Sequence, residues 1–139
     1  MMISNKKFKY INRPVLSNYF LEKITGKAVY VYDMKLPDML YAALKRSSLS
    51  SARILKIDVS AALRIKGVRA IITGENISKG LHGRGLLDTP ILAMDIVRYI
   101  GEPIAAVAAD DQETAYEAVD AINVEYEKLP SVQNIEESL

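Results

Sequence analysis

Val97-Arg98-Tyr99-Ile100-Gly101-Glu102-Pro103-Ile104-Ala105-Ala106-Val107-Ala108-Ala109 is the stretch that decides how this chain folds, because a punctuated turn runs straight into an unbroken apolar segment. Gly101 can take a backbone conformation that side chains resist, and Pro103 pre-sets its own φ. The apolar run from Ile104 to Ala109 carries no polar residue, the pattern of a strand covered on both faces. Glu102 sits between the two, and Arg98 is near enough in sequence to pair with it. The expected role of Arg98, Tyr99, Gly101, Glu102 and Pro103 is therefore structural: an ion pair or backbone cap that holds the turn.

Working outward, Asp110 and Glu113 stand at capping-box spacing, and Ala115, Ala118, Val119 and Ile122 form an i, i+3, i+4, i+7 stripe, which predicts a helix from Asp110. A strand over Val124–Glu127 follows and Leu129-Pro130 ends it. Upstream, Val68–Thr73 is rich in β-branched residues and reads as a strand. Ser60–Ile65 reads as a short helix, capped by Asp58 or Ser60 and closed by Gly67. Met39–Lys45 and Ala52–Asp58 read as two further strands; in the second, Ile54, Lys56 and Asp58 alternate with Arg53, Leu55 and Ile57. Glu75 to Ile96 dissolves into glycines and a proline and is expected to be a long loop, functional or lying against a partner. Residues 1–22 read as an extended leader and 23–139 as the folded domain. The whole pattern predicts an α+β domain, a mixed sheet with two helices.

Composition narrows the function classes. Half of the 139 residues are apolar and a quarter charged, the profile of a globular domain. A net charge of +1 supplies no pull toward nucleic acid or an anionic membrane. With no cysteine, structural disulfides, thiolate-held zinc and iron–sulfur clusters are excluded within this chain. No apolar run approaches the roughly 20 residues of a membrane span, and Met1 to Lys9 leads into no signal-peptide core, so a cytoplasmic location is the expectation.

Two segments invite chemistry. Gly80-Leu81-His82-Gly83-Arg84-Gly85 offers glycines and a cation to an anion, but lacks the strand before it and the helix after it that a phosphate loop needs. His82, the sole histidine, has no partner at metal-binding spacing and no neighbouring nucleophile, so neither a metal nor a general-base role is expected of it. Asp33-Met34-Lys35-Leu36 resembles the acceptor lysine segment of biotin carriers. Pro37 follows too closely, and the turn lacks the glycine of a hairpin tip, so Lys35 is read as a solvated lysine.

Six blocks carry a family resemblance. They are Ile24-Thr25-Gly26-Lys27-Ala28-Val29-Tyr30; Leu36-Pro37-Asp38-Met39-Leu40-Tyr41-Ala42-Ala43; Ala52 to Asp58; Gly67 to Gly74; Val97 to Ala109; and Glu113 to Ala118 with Val124 to Pro130. In this order the chain resembles the N-terminal part of the molybdopterin-binding large subunit of molybdenum hydroxylases, the group of xanthine dehydrogenases, aldehyde oxidases, aerobic carbon monoxide dehydrogenases and 4-hydroxybenzoyl-CoA reductases. The resemblance implies an α/β-hammerhead fold. It places the cofactor pocket and catalytic glutamate in segments that follow this one, so no residue here is expected to be catalytic, cofactor-binding or metal-binding, and Glu102 is not that glutamate.

The implied role is scaffolding and docking within an oxidoreductase. Molybdopterin with molybdenum, iron–sulfur clusters and often FAD would sit on other segments or subunits. The implied partners are the molybdopterin-binding remainder of the large subunit, an iron–sulfur subunit and a flavin subunit. Self-association of the isolated chain is expected through the leader with Tyr10 and Tyr19, the 75–96 loop and the end after Pro130. The alternative is a freestanding binding or assembly protein that reuses the fold.

Overall fold

The computed structural model describes residues 14, 17, 19–77, 80–132 and 134–138. They fall into two compact units, Met1–Pro37 and Asp38–Leu139. Most of the expected leader, Tyr10 included, lies outside the described residues. Where the first unit is described it holds α1 (Phe20–Ile24), a single turn, and a 3-10 turn over Val31–Asp33 in which the Asp33 carboxylate accepts from the Tyr30 N–H at 3.0 Å. The expected extended leader is thus helical at its end, where Thr25 donates its hydroxyl to the Leu21 carbonyl at 2.6 Å and closes that turn. Lys35 follows the 3-10 turn in an exposed irregular segment, not at a hairpin tip.

The second unit runs β1 (Tyr41–Arg46), β2 (Ala52–Asp58), a 3-10 turn (Ala62–Arg64), β3 (Val68–Thr73), β4 (Leu81–His82), β5 (Thr89–Pro90), β6 (Ile96–Val97), β7 (Pro103–Ala109), α2 (Gln112–Ala121), β8 (Asn123–Lys128) and α3 (Ile135–Ser138). Its described strands form two three-stranded sheets, β1-β7-β3 and β6-β2-β8, and a β4-β5 ribbon. The α+β class is as expected, and the described pairings are antiparallel. Among the described residues no helix is long and apolar enough to cross a membrane.

The apolar run of β7 makes it the centre of its sheet. Ala105 and Val107 pack with Ala62, Ala118 and Ile122, while Ala109 packs with Ala43 and Ala115, so α2 covers this face. Ile104, at the turn end, joins a second cluster of Ala52, Ala93 and Val97. Ile104, Ile122, Val97 and Val107 are the largest fully buried side chains, each contributing about 1.5–3 kcal/mol. The expected cover on both faces of β7 holds only at Ile104, since Ala106 and Ala108 remain half-buried. One helix can cover one face of a sheet, and the second cluster reaches only the first turn of the strand.

Bulges re-aim side chains that simple alternation assigns to opposite faces. In β2, Ile54 opposes Tyr126 and Lys56 opposes Glu125, leaving Leu55 as the extra residue. Ile54 and Ile57 therefore pack into the same cluster, against the alternation read from the sequence, while Leu55 is exposed. In β3 the extra residue is Arg69, which grips Asp110 through Nε and Nη2 at 2.6 and 2.8 Å.

That grip corrects the helix cap. Asp110 is occupied by Arg69, and Asp111 caps α2 instead, accepting from the Thr114 N–H and hydroxyl, both at 2.8 Å. The backbone and hydroxyl donors of Thr114 hold the Asp111 carboxyl below its usual range. The helix expected over Ser60–Ile65 shrinks to the 3-10 turn, because Asp58 accepts from the Ser60 N–H at 2.9 Å in a tight local turn and Ile65 is already extended. The 75–96 loop is only partly loose. Leu92 and Ala93 are buried, and a Cβ on Gly74 would lie 2.6 Å from the Ala93 carbonyl oxygen, so β3 ends in a close backbone approach.

Candidate functional site

The five residues singled out from sequence meet at the turn entering β7. Arg98 donates to Glu102 twice, through its backbone N–H at 2.5 Å and through Nη1 at 2.7 Å. Glu102 is 2% exposed, whereas the Arg98 side chain is half in solvent. The carboxylate is thus a buried acceptor that closes the turn, a task that two charge-assisted hydrogen bonds make worthwhile. Gly101 has φ +91°, and a Cβ there would meet nothing within 4 Å, so the constraint on it is conformational and not spatial. Pro103 opens β7, where its missing N–H costs no ladder bond, and its carbonyl accepts from Ala93 at 2.8 Å.

A second turn is bonded to the first. The Gly101 N–H donates to the Ser47 carbonyl at 2.8 Å, the Ser47 N–H donates to the Glu102 carbonyl at 2.9 Å, and Arg46 Nη1 donates to the Gly101 carbonyl at 2.8 Å. Ser47 is buried, and its hydroxyl serves the Leu49 backbone in both directions, at 2.8 and 3.0 Å. Tyr126 on β8 packs against the cluster of Ala52, Ala93, Val97 and Ile104, and burial raises its phenol pKa above the ordinary 10.0. Sequence reasoning missed Ser47. Its signal was Ser47-Ser48-Leu49-Ser50-Ser51 between two strands, a run whose hydroxyls can replace backbone partners in a turn.

The outer side of these turns is a shallow cleft of about 460 Å³, lined by Ser50, Ser51, Arg98, Tyr99, Ile100 and residues 130–132. Tyr99 and Ile100 stand exposed on its rim. Both carboxylate oxygens of Glu102 are engaged there, one by the Arg98 backbone N–H and the other by Nη1. His82 and Arg84 lie apart, exposed on the β4-β5 ribbon, with no helix opening after the glycines. Among the described residues no group of three or more His, Cys, Asp or Glu side chains is placed to hold a metal. With no cysteine in the sequence, the residues present do not fit an iron–sulfur centre.

Residues 25–130 match the family described as the a/b hammerhead domain of aldehyde oxidase and xanthine dehydrogenase. The chain belongs to this family. Its hammerhead domain is 42% identical over 120 residues to the nicotinate dehydrogenase large molybdopterin subunit of Eubacterium barkeri, covering 86% of this chain and 28% of that one. It is 39% identical over 113 residues to the carbon monoxide dehydrogenase large chain of Hydrogenophaga pseudoflava, covering 78% and 14%. Among solved structures, quinoline 2-oxidoreductase from Pseudomonas putida 86 superposes with a TM-score of 0.79 at 35% identity, over 88% of this chain and 17% of that one. The hammerhead chain therefore spans little more than a quarter of the first relative and far less of the other two.

Proposed function

We propose that this chain is a scaffolding and docking domain of a molybdopterin-dependent oxidoreductase, holding neighbouring segments in place and doing no chemistry of its own. The observation that carries the reading is the engagement of Glu102. The acid best placed to act is spent on the turn, while the family match spans the bonded core around it. In this reading, molybdopterin with molybdenum, iron–sulfur clusters and FAD belong to the remainder of the large subunit and to iron–sulfur and flavin subunits. What the domain supplies is rigidity, since a neighbour with few soft dihedrals preserves the spacings that substrate positioning and electron transfer require. Tyr99 and Ile100, exposed beside an anchored turn, suit one of the contacts: an apolar rim whose ordering costs little because its backbone is already held.

The test is co-expression of the tagged chain with the molybdopterin-binding remainder of the large subunit, supplied as a separate polypeptide. A complex that survives size exclusion and carries molybdenum is the expected result. A chain that stays monomeric and captures none of that polypeptide would overturn the reading in favour of a freestanding binding protein.

A further inference from the structure

The outer face of the β1-β7-β3 sheet, turned away from α2, is apolar and uncovered. Register places two cross-strand rows on it: Leu44, Ala106 and Ile72 in one, Ala42, Ala108 and Ala70 in the other. Leu44 and Ile72 are each 40% exposed, Ala42 and Ala70 are exposed, and the two alanines of the central strand are half-buried. No charged residue interrupts either row. A central strand normally has its apolar side chains covered, so this face has the composition of an interior and the exposure of a surface.

We propose that the cofactor-bearing part of the same molybdopterin subunit packs on this face through an apolar stripe; the proposal rests on the scaffold reading above. Size argues for that occupant over a second copy of the chain. Three strands about 4.8 Å apart and two rows about 7 Å apart make roughly 200 Å², whereas separate proteins in a stable complex bury about 800 Å² each. So small a face cannot hold a free dimer together, but it can serve as one facet of a wide contact within a subunit. The relatives have material for that contact, since the matched region is 28% of one and 14% of another. Shape agrees with it: the four alanines let a backbone approach closely, and Leu44 and Ile72 stand as walls on either side of Ala106.

Leu44→Glu and Ile72→Glu each put a charge into this contact, and Leu63→Glu puts one at an exposed position of the 3-10 turn. Each tagged variant is co-expressed with the molybdopterin-binding remainder of the large subunit, supplied as a separate polypeptide. The expected result is at least tenfold less co-purified partner for the first two and less than twofold change for the third, with circular dichroism like that of the wild type. Wild-type chain that captures no partner sinks the scaffold reading and this proposal with it. Capture that Leu44→Glu and Ile72→Glu leave unchanged overturns the face alone and leaves the scaffold reading standing. If either variant is unfolded, hydroxyl-radical footprinting of the wild-type complex decides: protection of Leu44 and Ile72 supports the face, and unchanged labelling of both refutes it.

Discussion

The turn at residues 98–103 and the ribbon at 81–90 are both short, glycine-bearing, and supplied with a cation and an ionisable neighbour, yet only one of them is built into the core. In the turn, Glu102 accepts from Arg98 twice, the Gly101 N–H donates to the Ser47 carbonyl, the Ser47 N–H donates to the Glu102 carbonyl, and the Pro103 carbonyl accepts from Ala93. In the ribbon, Leu81, Leu86 and Leu87 stand in solvent with His82 and Arg84 between them. The lesson is that residue type does not separate a structural turn from an open one. What separates them is whether a second chain segment arrives to satisfy the backbone.

Mutations at the turn should therefore cost stability and those on the ribbon should not. The largest effect is expected for Glu102→Ala, which leaves the Arg98 N–H without its buried acceptor; urea unfolding should show a loss of about 2–3 kcal/mol, with Glu102→Gln losing less. A loss below about 0.5 kcal/mol, the scatter of ordinary surface changes, would erase the contrast between the two regions. Gly101→Val should cost about 1–2 kcal/mol by forcing a β-branched residue into a left-handed conformation, and Gly101→Asn clearly less, because asparagine tolerates that region. Equal Tm values for the two variants would place the strain elsewhere.

A weaker signature lies in alkali. Burial favours the neutral Tyr126 phenol and raises its pKa, so the stability it contributes is intact below the ordinary value of 10.0 and is lost as pH rises through the folded-state value. Tm measured from pH 9 to 11.5 should fall more steeply for the wild type than for Tyr126→Phe; parallel curves would detach Tyr126 from the turn. The smallest effects belong to the ribbon, where His82→Ala and Leu87→Ser should each stay within about 0.5 kcal/mol in the same urea assay.

Much of this fold was legible in residue order. The Ala52–Asp58 and Val68–Thr73 strands fall where expected, Pro103–Ala109 begins one residue earlier than the Ile104 read from the sequence, and of the expected stripe Ala115 and Ala118 are the buried side of α2, with Ile122 buried just past its end. The pairing of Arg98 with Glu102 was readable because both ends lie four residues apart. The cap of α2 was not, since Asp110 and Asp111 are equally good cap residues until Arg69, 41 positions away, takes the first of them. Ser47 was missed for the same reason: its partners, Gly101 and Glu102, are more than fifty positions distant.

The sequence by itself determined the class of the domain, the strand character of the apolar β7 run and the absence of any thiolate chemistry, because these follow from composition and local periodicity, and the order of its residue blocks carried the family resemblance. Tertiary structure alone decided which side chains the bulges at Leu55 and Arg69 would redirect, which aspartate would cap, and that Ala106 and Ala108 would keep one face uncovered. Those outcomes depend on pairing register and on how far one helix can reach across a sheet, and neither quantity is written in the local order of residues.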